Sequence, residues 1–306
     1  MIVLRNTRNG PREEEQMKKT KRLRQLIEDP EILMIPVAHD ALCAKIAEKA
    51  GFKAIFTAGY ANSASLLAKP DVDLLSLAEM VDCAWRIVDA VDVPVLADGD
   101  TGHGNVTNVA RTVRQFEKAG VAGLFIEDQV SPKRCGHMAG KQVIPLEEMV
   151  AKLKAALDVR QDEDLIIMAR TDALAVHGID DAIERAVFYR ETGADVIFVE
   201  AVENTGQMRR VISEVNAPNM ANMVPGGRTP LMTAKELEDL GYAAVAYPTA
   251  NTYVIAKAVT DFFESLRRTG TLKGFENRMF DFEAFNQLVG LLEIREKEES
   301  YVKWRR

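Results

Sequence analysis

The chain has 306 residues, 47% hydrophobic and 28% charged, with a formal net charge of −7, a globular composition whose acidic balance argues against a nucleic-acid face. Its longest apolar runs are strand-sized, well short of the roughly 20 residues a membrane-spanning helix needs, and the N-terminus has no apolar stretch of signal-peptide length. The three cysteines, Cys43, Cys83 and Cys135, are far apart, so neither a disulfide framework nor a zinc spacing is visible, and a reducing, cytoplasmic setting is the expectation.

Residues 12–28 read as a charged helix. Eight short apolar runs then follow, each ending in small or polar residues and most leading into an amphipathic helix pattern. The runs are ILMIPVA (32–38), AIFTAGY (54–60), VPVLADGD (93–100), GLFIEDQ (123–129), LIIMART (165–171), VIFVEA (196–201), NMANMV (219–224) and AAVAYP (243–248). Between the third and fourth runs, Val106, Val109, Ala110, Val113 and Phe116 share one face at helical spacing. Ser76 with Glu79 and Thr233 with Glu236 have the spacing of capping boxes, and the glycines of KAG, EKAG and ETG mark helix ends.

Eight strand–helix units predict an α/β fold of the (β/α)8 TIM-type barrel class, one domain over residues 1–306. A doubly wound open sheet is the second choice, and the chain lacks a GxGxxG fingerprint. Residues 274–306 read as a helical extension, with an apolar face through Phe282, Phe285, Leu288, Val289 and Leu292. That face either packs on another subunit or folds back on its own barrel.

In such a barrel, chemistry gathers at the C-terminal ends of the strands. The residues there are the turn Thr57-Ala58-Gly59-Tyr60, then Asp98, Asp100, His103, Glu127 and Asp128, the loop VSPKRCGHMAGKQV (130–143), Arg170, Glu200 and Asn222. Asp98 and Asp100 stand two apart and should face the same way. Like-facing carboxylates need a cation or a proton between them. With Glu127 on the neighbouring strand, an oxygen-liganded ion such as Mg2+ is favoured over helix caps and salt bridges to Arg170 or Lys133. Cys43 and Cys83 fall in helix patterns and read as buried small hydrophobes. Cys135 sits beside Lys133, Arg134 and His137, cations expected to lower its thiol pKa, so it could exchange a proton or act as a nucleophile. His39, His103 and His137 are each ambiguous between structure and chemistry.

PVAHDALCAKIAEKAGFKAI, DGDTGHGN, GVAGLFIEDQVSPKRCGH, IMARTDAL and ANMV together resemble the isocitrate lyase/phosphoenolpyruvate mutase superfamily over nearly the whole chain. KRCGH after IEDQ marks the lyase branch, similar to 2,3-dimethylmalate lyase, 2-methylisocitrate lyase and oxaloacetate hydrolase. The resemblance implies a Mg2+ ion (Mn2+ as substitute) held by Asp98, with Asp100, Glu127 and Asp71 contributing. It implies a catalytic Cys135 on a gating loop with His137, Lys133 and Gly136, and an Arg170 that grips the carboxylate of an α-keto acid. It also implies backbone N–H groups of Ala58, Gly59 and Tyr60 at that carboxylate, and Glu200 and Asn222 around the rest of a small carboxylate substrate. The last helix would be swapped between subunits of a homotetramer. The expected reaction is cleavage of a 2-hydroxy di- or tricarboxylate to an α-keto acid such as pyruvate and a second carboxylate; a phosphonomutase is a further alternative. Three departures stand out: the turn TAGY, the acid-free loop VPGGRTP, and Tyr253 where methylisocitrate lyases carry an arginine. The last favours a dicarboxylate such as an alkylated malate, unless Arg228 supplies the charge.

Overall fold

The computed structural model describes residues 17–302. Helix α1 (Lys19–Glu28) precedes eight parallel strands: β1 (Leu33–Pro36), β2 (Ile55–Thr57), β3 (Val95–Asp98), β4 (Gly123–Glu127), β5 (Ile166–Thr171), β6 (Val196–Val199), β7 (Met220–Asn222) and β8 (Ala244–Tyr247). Each coincides with a predicted run. β2 to β6 pair in sequence, and β7, β8 and β1 form a second set. Single parallel bridges, Val37 to Phe56 and Ile197 to Asn219, join the two sets into a closed barrel.

The strands read as continuous apolar runs because both of their faces are buried. Side chains at alternate positions point to opposite faces. Leu33, Ile35, Phe56, Leu96, Phe125, Met168, Phe198 and Met220 fill the barrel interior, together with Leu23 and Ile27 of α1. The α1 helix therefore packs on the interior cluster, and its apolar pair explains why a charged segment is helical here. The predicted start of that helix, residues 12–16, lies outside the described residues. The other set, among them Ala97, Leu124, Ile126, Ile167, Ala169 and Ile197, packs under the helical shell.

Both predicted capping boxes form, Ser76 with Glu79 and Thr233 with Glu236. In the helix Val106–Lys118, Val109, Val113 and Phe116 are fully buried. Val106 is exposed instead, in the first turn, and Thr112 takes a buried place by donating its hydroxyl to the carbonyl of Gly102.

The C-terminal region differs from the rest. The helix Ala250–Thr269 contains no buried residue, nor do the helices Phe282–Leu288 and Leu291–Val302. The predicted continuous extension breaks at Gly290, which adopts φ 84°. The predicted apolar face is present and uncovered, with Phe282 87% exposed. Among the described residues no helix is long and apolar enough to cross a membrane.

Candidate active site

Strand parity assembles the site. Leu96, Phe125, Met168, Phe198 and Met220 point inward, so Asp98, Glu127, Arg170, Glu200 and Asn222, each two residues further along, reach the same interior at its upper end. Asp128 has the opposite parity. It turns to the helical shell, accepting hydrogen bonds from Thr171 Oγ1 (2.7 Å) and Tyr189 Oη (2.8 Å) and pairing with Arg185. That acid of the IEDQ motif is structural.

Strand β3 ends at Asp98, so Asp100 is not a strand residue as its spacing had suggested. It lies in a left-handed turn at φ 49°, and the turn still brings it back to Asp98. Asp98 accepts from the backbone N–H groups of Gly59 (2.8 Å) and Asp100 (2.9 Å). The Gly59 N–H is thereby used inside the protein rather than left for a ligand, contrary to its predicted role. Its missing side chain matters more: a Cβ there would lie 3.0 Å from Asp98 Oδ2, 3.1 Å from Asp100 Oδ1 and 3.2 Å from Lys133 Nζ. Lys133 Nζ sits 2.7 Å from Asp71 Oδ1 and 2.8 Å from Asp100 Oδ1. Glu127 stands apart from this group, 3.3 Å from Arg170 Nε through Oε2, while its buried Oε1 has no partner. Burial drives the Glu127 carboxyl well above its ordinary value. Burial also drives Asp100 up to about 7, against the pull of Lys133 and with Asp98 and Asp71 adding to the rise.

These residues fit a divalent cation. Six buried carboxylates, Asp71, Asp98, Asp100, Glu127, Asp172 and Glu200, face three buried cations, Lys133, Lys141 and Arg170. A carboxylate surplus in a desolvated space, with one oxygen unsatisfied, calls for a further positive charge. The four predicted metal acids do not close into one ligand sphere here, because Lys133 holds Asp71 and Asp100 while Arg170 holds Glu127.

Arg170 is held by two adjacent aromatic rings and by acids. Its guanidinium stacks on Phe125 and Phe198, 5.7 and 5.2 Å from the ring centres. Asp172 receives Nε (2.9 Å) and Nη2 (3.2 Å), and Glu200 lies 3.3 Å from Nη2. Asp172 also meets Lys141 Nζ at 2.6 Å. Burial raises the Asp172 carboxyl, but Arg170 and Lys141 outweigh it and hold it down to about 2.

The KRCGH loop folds down over this pocket. Ser131 Oγ and the Lys133 N–H donate to Asp73 Oδ2, and the Cys135 N–H donates to the Asp71 carbonyl. The side-chain amide of Gln129 clamps the backbone of Arg134 from both sides. Gly136 passes so close to the site that a Cβ would lie 2.4 Å from Arg170 Nη2 and 2.5 Å from Glu200 Cγ. His137 Nδ1 accepts from the Arg228 N–H at 3.1 Å, which leaves the proton on Nε2, 3.3 Å from Glu200 Oε1. Burial depresses the pKa of this histidine, so it is neutral near pH 7.

The expected lowering of the Cys135 thiol pKa does not occur. Burial pushes it up to about 11, opposed by a backbone hydrogen bond at His137, while Asp71 and Glu200 add to the rise. The flanking cations serve elsewhere: Lys133 joins the acid cluster, and Arg134 is exposed and bonds the Ala139 carbonyl. Cys43 also departs from expectation, being half-buried rather than buried.

Cys135, Gly136, His137, Arg170, Glu200, Asn222, Asp71, Asp98, Ala58 and Tyr60 all line one cavity, whose free space is about 40 Å³. Larger grooves, such as the one of about 520 Å³ beside Trp85, lie on the helical shell and lack this convergence of charge. Sequence reading missed Asp172, which follows Arg170 at the same parity and was within reach of that argument. It also missed the walls Phe125 and Phe198, and Thr249, whose buried hydroxyl lines the cavity without a partner.

The family description Phosphoenolpyruvate phosphomutase matches residues 23–267. The chain is 49% identical over 284 residues to 2,3-dimethylmalate lyase of Eubacterium barkeri, covering 93% of this chain and 98% of that one. It is 46% identical over 250 residues to 2-methylisocitrate lyase of Halalkalibacterium halodurans, covering 82% of each. A crystal structure of 2,3-dimethylmalate lyase superposes with a TM-score of 0.88 at 33% identity, covering 94% of this chain and 96% of the other.

Proposed function

Because this chain belongs to the phosphoenolpyruvate mutase/isocitrate lyase superfamily, an enzyme family, we propose that it is a carbon–carbon lyase acting on a methyl-substituted malate. The observation that carries the substrate class is the wall of the pocket. Phe56, Tyr60, Phe125, Phe198, Met220, Val224 and Pro248 surround a single guanidinium, and the remaining charges are the carboxylates Asp71, Asp98 and Glu200. A second carboxylate of a dicarboxylate can share Arg170 and a cation at Asp98. A third would face apolar rings or Glu200, and an unpaired buried charge costs several kcal/mol.

Neither Tyr253, which stands in place of a carboxylate-binding arginine, nor Arg228, the other source of charge, faces the pocket. Tyr253 is not part of the pocket wall; its hydroxyl donates to Tyr60 Oη at 3.2 Å and its ring meets that of Tyr60 edge-on. It acts by holding Tyr60 in place. The Arg228 guanidinium is turned to Glu203, 3.4 Å away.

Asp98, Asp100, Asp71 and Glu127 would hold a Mg2+ ion, with Mn2+ as a substitute, and the ion would supply Lewis-acid polarisation of the substrate hydroxyl and its adjacent carboxylate. The chain's own residues do the rest. Arg170, fixed by two aromatic faces and Asp172, orients the carboxylate that ends in the keto acid. The bond between C2 and C3 breaks and its electron pair remains on C3, while the C2 hydroxyl becomes a carbonyl and its proton passes to the carboxylate cluster. Cys135 Sγ delivers a proton to C3, which yields pyruvate and propionate from 2,3-dimethylmalate. A thiol whose pKa lies near 11 keeps its proton at neutral pH and can act as a general acid. Lys133 neutralises the acid cluster, and neutral His137 ties the loop to residue 228. With about 40 Å³ free beneath it, the loop must open to admit substrate and then close to exclude water.

A panel of 2,3-dimethylmalate, 2-methylisocitrate, isocitrate and oxaloacetate, each with Mg2+ and with EDTA, tests this reading. We expect kcat/KM for dimethylmalate to exceed that for 2-methylisocitrate by at least about 100-fold, the equivalent of a little under 3 kcal/mol. A preference for the tricarboxylate would refute the assignment, and oxalate as the main product would make the enzyme an oxaloacetate hydrolase.

The uncovered C-terminal helices support assembly through a swapped last helix into a homotetramer. An apolar surface with Phe263, Phe280 and Phe282 at 60%, 64% and 87% exposure is unusual for a monomer. Light scattering at micromolar concentration should report a mass near four chains, and removal of residues 274–306 should give smaller species or aggregates. A monodisperse monomer of the full chain would eliminate the swap.

A further inference from the structure

At the upper rim of the barrel, outside the pocket, strand β1 runs into the sequence His39-Asp40, and the helix Ala41–Lys49 begins with Asp40 as its cap. Cys43 lies in the first turn of that helix. His39 Nε2 is 3.8 Å from Cys43 Sγ and 3.6 Å from Asp40 Oδ2. Among the described residues, no other three His, Cys, Asp or Glu side chains each bring one ligand atom within 4.8 Å of the others. We propose that His39, Asp40 and Cys43 form a binding site for a zinc-class transition-metal ion, separate from the carboxylate cluster of the active site.

The geometry is close to that of a bound site before any ion enters. Bonds of about 2.0–2.3 Å in a tetrahedral zinc site place donor atoms about 3.3–3.6 Å apart; the His39–Asp40 edge of 3.6 Å already meets this, the His39–Cys43 edge of 3.8 Å exceeds it by a few tenths of an ångström, and Cys43 and Asp40 lie within 4.8 Å of each other. Two of the donors are held by a second interaction. Asp40 Oδ1 accepts the Cys43 N–H at 2.7 Å, which fixes the carboxylate and leaves Oδ2 turned to His39. Thr252 Oγ1 lies 3.5 Å from His39 Nδ1. With the ring proton on Nδ1 toward Thr252, the Nε2 lone pair faces the Cys43 thiol and opens to a metal as the thiol proton leaves, the outer-shell arrangement common to metal-bound histidines. His39 is buried, whereas Asp40 is exposed and Cys43 half-buried, so an ion can enter from solvent.

The donor chemistry selects the ion. A thiolate with an imidazole and one carboxylate favours zinc or its neighbours over magnesium or calcium, which take oxygen ligands. Binding replaces the S–H bond by an S–metal bond and releases the thiol proton to solvent. Three protein donors leave the fourth tetrahedral position to water. Because Thr252 belongs to the helix Ala250–Thr269, which has no buried residue of its own, the ion would also tie the root of that helix to strand β1.

The test uses the full-length protein freed of metal and then held in excess Mg2+, titrated with Co2+ as a spectroscopic stand-in for zinc. The expected result is a thiolate-to-cobalt absorption band that Zn2+ abolishes on displacement. Cys43→Ser should remove the band, and Cys135→Ser should keep it. Thr252→Val should weaken the cobalt affinity by about 10-fold, as the loss of an outer-shell partner does. Absence of the band in the wild-type protein with an intact circular dichroism spectrum would overturn the proposal, whatever the variants do. So would a band that survives Cys43→Ser or disappears in Cys135→Ser.

Discussion

Cys135→Ser should lower turnover by about 10²–10⁴-fold, the usual worth of a general acid in the transition state. The substitution is nearly isosteric, and the loop contacts that place residue 135 use its backbone, the N–H to Asp71 and the carbonyl to Met138. Loop closure and the binding of a keto acid product should therefore survive, measured by calorimetry with pyruvate and Mg2+. The effect should fall on kcat, with KM nearly unchanged, because a hydroxyl of much higher pKa than a thiol cannot hand over its proton at the same rate. Wild-type turnover in the variant would remove Cys135 from the chemistry. A parallel loss of product binding would instead assign the cysteine to loop structure.

Asp172→Asn should cost about 3–5 kcal/mol of stability at pH 7, the range found when one partner of a buried charge group is removed. Asp172 is fully buried, and so nearly are Arg170 and Lys141. The amide would leave two buried cations facing a neutral group. The pH dependence gives an independent check. The Asp172 carboxyl titrates at about 2 in the folded protein, below the ordinary value near 3.9. Its contribution is thus fully present above about pH 5 and is lost as the pH falls through 4 toward 2. Denaturation curves of wild type and variant should lie furthest apart at neutral pH and converge on acidification. A gap that is constant from pH 7 to pH 3 would show that packing, not charge, is what the substitution disturbs.

The sequence by itself determined the eight strand–helix units and favoured a barrel over an open sheet; closure is seen in the two bridges that join β1 to β2 and β6 to β7. Eight apolar runs of strand length, separated by helix patterns, require a sheet covered on both faces. The positions of the runs were accurate because a buried parallel strand tolerates few polar residues. It also placed most of the pocket, since strand parity is a local property. Asp98, Glu127, Arg170, Glu200 and Asn222 follow inward-facing hydrophobic residues by two positions. The same rule would have added Asp172 and separated Asp128 from Glu127.

The direction of the Cys135 pKa was decided only by the tertiary structure. Neighbours in sequence suggested a low value, but charge acts through space and burial acts through the whole surroundings. Lys133 spends its charge on Asp71, an acid 62 residues earlier in the chain, and the cavity desolvates the thiol. The role of Tyr253 was hidden for the same reason. A motif alignment gives a residue's place along a helix, whereas its contact with Tyr60 depends on how two segments 193 residues apart are brought together. Long-range pairing of this kind leaves no local pattern, so which charge meets which partner could be read only from the fold.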